Sequence, residues 1–407
     1  MIGVGGELLL KIDGGVTAAK GFSAAGVRCG IKEEGLDLAM VYSSRDCSAA
    51  GVFTTNAFKA APVLVDIERI VGGRGRAIVA NSGNANACTG AQGLRDARRM
   101  CGLAGELLGV DPNLVYCSST GIIGRALPMD KIEDGIRRAV MELSCDGGAA
   151  ASRAIMTTDL VPKTTAYELE IGGVKVRVGG MCKGSGMICP AMATMLCFIT
   201  TDAAIGASAL REMLISNVER SFNSLTVDGD MSTNDSVIVL ANGASGCADI
   251  LEGTAEYELL DRALGQVCID LAQAIARDGE GATKYVEVRV TGADSHADAK
   301  SAAMTIANSP LVKTAVFGED PNWGRVLCAA GRSSARIDPS KVTLYFGDVK
   351  IVENGEPLPI EDAEARRPML EDELVITLDL GLGSACARAF TCDFSYDYVK
   401  INAEYHT

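Results

Sequence analysis

From Gly184 to Thr201 no side chain carries a charge. A stretch of that length can be read as a bilayer-crossing helix. Pro190 and Thr194 stand inside it, however, its start Gly184-Ser185-Gly186 is Gly-rich, and nothing else in the chain resembles a second span. A core strand buried on both faces fits better. Such a strand must be covered from both sides, which points to layered, mixed α/β architecture.

At 407 residues the chain is long enough for two or three domains with sizeable cores. Its net charge of −14 argues against nucleic acid or an anionic membrane as a partner. An anionic metabolite then needs a local cation, which draws notice to Lys183 beside the apolar run. Fourteen cysteines contain no C-x-x-C pair, and only His296 and His406 could assist them, so no metal site is expected. The lack of a signal-peptide pattern before the first Gly-rich segment predicts reduced, buried thiols and a cytoplasmic protein.

Periodicity predicts short strands at 38–43, 51–54, 77–80 and 114–117, and helices at 94–108 and 129–143. Residues 167–178 alternate around Gly172-Gly173, the pattern of a two-residue β-hairpin. Helices are expected at 209–223, 258–277 and 302–314, and strands at 285–290, 342–346, 374–380 and 387–392. The loop 278–284 suggests a boundary, giving domains 1–283 and 284–407.

Thr194 is the residue with chemistry to offer. Most threonines in such runs are simply core. If the bond before Thr194 were cut, though, its new α-amine could serve as base for its own hydroxyl. Ala193 is small enough to let the backbone bend for that attack. Ser118-Ser119-Thr120-Gly121, expected as a loop after a strand, could offer a hydroxyl and an N–H to an oxyanion, although such loops are usually only turns. The amide-rich run Asn81 to Gly90 reads most simply as a turn bonding its own backbone. Asp228 to Asp235 begins like an EF-hand, but Thr233 and Ala241 stand where Gly and Glu are needed, so calcium is not expected. No dinucleotide or P-loop fingerprint occurs.

Taken in order, Gly14–Phe22, Asn81–Gly90, Ser118–Gly124, Met156–Asp159, Lys183–Leu196, Asp228–Asp235, Asp278–Lys284, Asp320–Arg325 and Val399–Tyr405 resemble the ornithine acetyltransferase family. These are the glutamate N-acetyltransferases of arginine biosynthesis. The resemblance runs nearly end to end and implies an α/β (α+β) fold, an α-β-β-α sandwich with a smaller C-terminal α/β domain. It implies self-cleavage between Ala193 and Thr194 into chains 1–193 and 194–407, associated as a dimer of heterodimers. Thr194 would be the nucleophile, and Thr120 and Gly121 the oxyanion hole. Thr157, Lys183, Glu280, Asn402 and Thr407 match substrate-holding positions. The implied reaction moves acetyl from N-acetylornithine to glutamate, with no cofactor and no metal; acetyl-CoA as a second acetyl donor stays open. Ala191 departs from the Asn of many relatives. Two other functions compete: a related N-terminal-nucleophile aminopeptidase or amidase, and an uncleaved binding protein of the same fold.

Overall fold

The computed structural model describes residues 2–3, 8–189 and 195–404. The expected cleavage pair Ala193 and Thr194, together with Ala191 and Thr407, lies outside the described residues.

The strand Leu38–Phe53 organises the larger part of the molecule. The sequence suggested two separate strands here. The chain instead stays extended through the exposed polar Ser44-Arg45-Asp46, with a register shift between Tyr42 and Cys47 taking up the irregularity. Its first half pairs with Phe22–Val27 and Arg74–Asn84, its second half with Ser236–Ala241. Among the described residues the sheet has ten strands. Leu8–Ile12, Lys163–Ile171, Val174–Lys183, Leu196–Thr201 and Ser236–Ala241 lie on one side of it, Arg74–Asn84 and Val115–Ile122 on the other.

Side-chain alternation explains the layering. Ala39, Val41 and Ala49 of the long strand share one buried cluster with Ile78, Phe198, Ile238 and Leu240, which forms the seam between two sheet layers. On the reverse face, Leu38 and Met40 pack with the helices Ala61–Ile70, Gly90–Leu108 and Met129–Met141. Farther along, Ala50 joins the cluster under Ala207–Arg220 and Ala255–Arg277. The long strand therefore passes from one layer to the other, and helices cover both outer faces in an α-β-β-α sandwich. The hairpin closes as expected, with Ile171 opposite Val174 and both turn glycines at positive φ.

The uncharged run yields a shorter strand than expected, Leu196–Thr201. All six of its residues are buried, because it lies between Val174–Lys183 and Ser236–Ala241 with a helical layer behind. Among the described residues a second sheet has six strands, Tyr285–Ala293 and Ala385–Cys392 among them, and the helices His296–Ala307, Pro310–Phe317 and Trp323–Gly331 pack on it. The single helix expected at 302–314 is two, His296–Ala307 and Pro310–Phe317. Pro310 has no N–H for helix continuation and stands at the first position of the second helix, where Ser309 caps Val312. Tyr285, Phe390 and Cys392 join the sandwich cluster and bind the two parts together. Among the described residues no helix is long and apolar enough to cross a membrane.

Candidate active site

The strand Val115–Ile122 does not stop at Cys117, where the sequence suggested a loop. Parallel pairing with Arg74–Asn84 continues through Asn81 opposite Ser119, Ser82 opposite Thr120 and Gly83 opposite Gly121. Hydrogen bonds hold the extension: Ser119 Oγ donates to Asn81 Oδ1 at 2.6 Å, and Asn234 Nδ2 donates to Ser119 O at 2.8 Å. Gly121 sits at φ 130°, and a Cβ there would stand 2.4 Å from the Gly83 carbonyl carbon. Only glycine lets the two backbones approach so closely. The amide-rich run does bond its own backbone, with Asn81 Nδ2 reaching Asn84 O at 2.9 Å and Asn84 Oδ1 accepting from Asn86 N at 2.8 Å. It is also the end of a strand and the neighbour that sets the Thr120 backbone.

A cavity of about 130 Å³ opens beside this strand end, and Thr120, Gly121, Thr157, Lys183, Glu280 and Asn402 all line it. These are the described members of the set the sequence singled out. A larger cavity of about 610 Å³ lies elsewhere, bordered by Arg289, His296 and Arg388 and by none of that set.

Lys183 ends the strand Val174–Lys183 and is 3% exposed. Its Nζ donates to Thr120 Oγ1 at 3.3 Å. Burial lowers its affinity for a proton, opposed by the nearby charge of Asp159 and, after it, of Asp235 and Glu280. Asp159 is the fixed counter-charge. Its Oδ1 accepts from Lys163 Nζ at 2.6 Å and Gly184 N at 2.7 Å, and its Oδ2 from Thr157 N at 3.0 Å. Burial would raise this carboxyl, yet the charges of Lys183 and Lys163 outweigh it and hold the group down at about 2. Lys163 also meets Asp278 at 2.5 Å, so Asp159 and Asp278 tie the strand start at Lys163 to the end of the long helix.

On the far wall, the Glu280 backbone N–H donates to Ser185 O at 2.8 Å, and Asn402 Nδ2 donates to Glu280 Oε2 at 2.9 Å. A Cβ on Gly186 would stand 2.2 Å from Glu280 Oε2, so a glycine there leaves room for the carboxylate. The small cavity thus brings the Lys183 ammonium and the Thr120 hydroxyl together with the carboxylates of Glu280, Asp228 and Asp230, a lining suited to a small charged molecule.

Sequence reasoning missed the part played by the Asp228–Asp235 segment. Among the described residues no group of three or more metal-ligating side chains occurs. Asp228 instead accepts the N–H of Met187 at 2.6 Å and of Ile188 at 2.9 Å, while Asp235 accepts that of Met195 at 2.9 Å. The signal was present as aspartates without a calcium loop's remaining ligands, but their donors come from distant chain positions. Asp159, Lys163 and Asp278 were likewise not singled out as a charge network.

A model of the ArgJ family matches residues 23–407. Arginine biosynthesis bifunctional protein ArgJ of Symbiobacterium thermophilum is 55% identical over 397 residues, spanning 97% of this chain and 99% of that protein. Its namesake from Geobacter sulfurreducens is 49% identical over 394 residues, spanning 95% and 99%. A solved structure of ornithine acetyltransferase complexed with ornithine, from Mycobacterium tuberculosis, is 42% identical with a TM-score of 0.43, covering 46% of this chain and 100% of that one. With a family model and full-length relatives agreeing over nearly its whole length, the chain belongs to the ArgJ family.

Proposed function

We propose that this chain is a bifunctional enzyme of arginine biosynthesis that moves acetyl from N-acetylornithine to glutamate, with acetyl-CoA as a second acetyl donor. Self-cleavage ahead of Thr194 frees an α-amine, which takes the proton of the Thr194 hydroxyl as Oγ attacks the acetyl carbonyl. The Thr120 hydroxyl and the Gly121 N–H stabilise the oxyanion. The amide C–N bond breaks, ornithine leaves with the proton, and an acetyl-Thr194 ester remains. The α-amine of glutamate then attacks the ester, the C–O bond breaks, and the hydroxyl regains its proton. Lys183 and Thr157 take a substrate carboxylate. Glu280, oriented by Asn402, takes the ornithine ammonium, and Thr407 closes the site. No metal or cofactor enters these steps. The same reading has the two chains remain together as a dimer of heterodimers in the cytoplasm.

The observation that carries this reading is the convergence of Thr120, Gly121, Thr157, Lys183, Glu280 and Asn402, from five separate segments, on one small cavity. Mass spectrometry of purified protein tests it: two chains parted before Thr194, the second gaining one acetyl group on Thr194 after incubation with N-acetylornithine. A single 42.4 kDa chain in active material, or acetyl on another side chain, defeats it. Ornithine release at the same rate with and without glutamate would instead favour an amidase.

A further inference from the structure

Two aspartates hold the chain on either side of the bond that the proposed function requires to break. Before it, the Ile188 N–H donates to Asp228 Oδ1, and the Ile188 carbonyl accepts from Val227 N at 2.9 Å and Thr226 Oγ1 at 3.1 Å. The Met187 N–H donates to Asp228 Oδ2. After it, the Met195 N–H donates to Asp235 Oδ1, and the Met195 carbonyl accepts from Ser236 N at 3.1 Å. Both flanks are therefore tied, through N–H and carbonyl alike, to one short stretch, 226–236.

We infer that Asp228 and Asp235 are positioning residues for self-cleavage, fixing the ends of 189–194 so that the Thr194 hydroxyl meets the Ala193 carbonyl without a further search through chain conformations. The inference rests on the proposed cleavage site. In that step the Thr194 Oγ–C bond to Ala193 forms, the C–N bond breaks, and the hydroxyl proton passes to the released amine. Water then hydrolyses the ester, giving the Ala193 carboxylate and the free Thr194 hydroxyl. The aspartates supply no atom or proton to these steps. Their effect is orientational, and misplaced reacting groups lose orders of magnitude in rate.

The hydrogen-bond pattern makes the two aspartates respond differently to amide substitution. Asp228 uses both oxygens, Oδ2 for the Met187 N–H and Oδ1 for the N–H groups of Ile188 and Asp230. Asp228→Asn turns one acceptor into a donor facing an N–H. Among the described residues Asp235 accepts through Oδ1 alone, and its buried Oδ2 has no hydrogen-bond partner. Burial raises both carboxyls, that of Asp235 well above the usual range, so what separates the two is how their oxygens are used. Asp235→Asn keeps the acceptor for Met195; Asp235→Ala removes it.

The test is a time course of chain cleavage after synthesis, followed by denaturing electrophoresis, with circular dichroism confirming each variant is folded. Relative to the unmodified chain, Asp235→Asn should cleave within about threefold, whereas Asp228→Asn and Asp235→Ala should slow about tenfold or more. If Asp235→Ala does not fold, the contrast between Asp228→Asn and Asp235→Asn carries the test. Equal rates for Asp228→Asn and the unmodified chain, or slowing by Asp235→Asn as severe as that by Asp228→Asn, overturn the inference while leaving the cleavage site standing. An unmodified chain that is active and never cut overturns both.

Discussion

The buried ammonium of Lys183 donates to the hydroxyl oxygen of Thr120 at 3.3 Å. With its oxygen accepting from Lys183, the Thr120 hydroxyl has its own proton to offer elsewhere, and Thr120 lines the cavity. One cation thereby orients a neutral donor and adds its field to the place where an oxyanion would form.

This geometry separates two substitutions at Thr120. Thr120→Ser keeps the hydroxyl and should hold kcat for acetyl transfer within a few-fold. Thr120→Val keeps the shape but loses the donor and should lower kcat about 10²–10³-fold. Steady-state kinetics on cleaved enzyme decide it. Equal activity of the Val and Ser variants would remove Thr120 from the oxyanion hole.

Glu280 is expected to discriminate between the two amino acids. Glu280→Gln removes the charge that meets the ornithine ammonium, while Asn402 Nδ2 can still donate to the amide oxygen that replaces Oε2. A charge-assisted hydrogen bond contributes about 1.5–3 kcal/mol, so kcat/KM for N-acetylornithine should fall roughly 10–100-fold. The KM for glutamate, whose side chain is anionic, should stay the same or fall. A rise in both Michaelis constants together would mean that Glu280 supports the cavity wall rather than the substrate.

Asp159 sets a pH dependence whose sign is fixed. Its folded-state value of about 2 lies below the ordinary 3.8, so the unfolded chain binds the proton more readily. The stabilisation is complete above pH 3.8 and is lost as pH falls through 2, amounting to about 2 kcal/mol. Urea midpoints measured across that window should decline in the unmodified protein more steeply than in Asp159→Asn. At pH 7 the variant should be about 3 kcal/mol less stable, because Lys163 and Lys183 lose a shared partner. Parallel pH profiles would show that Asp159 does not titrate in this way.

What could be read from the linear chain follows from local physics. The hairpin at Gly172-Gly173 was legible because a two-residue turn and strict alternation are both encoded within a dozen residues. The helix Ala255–Arg277 announced itself through one apolar stripe. Thr120, Lys183, Glu280 and Asn402 could be named from their motifs, since residue type and order persist along a family even where contacts are unseen. Other features depended on neighbours that sequence does not display. Leu38–Phe53 is one strand rather than two because different partners hold its halves, so its exposed polar middle never needs to form a turn. Ser118 to Ile122 is strand rather than loop because the Asn81 backbone lies in register alongside. The aspartates at 228 and 235, read as an incomplete calcium loop, acquired their work only when folding delivered the N–H groups of Met187, Ile188 and Met195 to them. Local preferences write the elements and chemical types into the chain; a hydrogen bond between residues forty positions apart exists only after the sheet has closed.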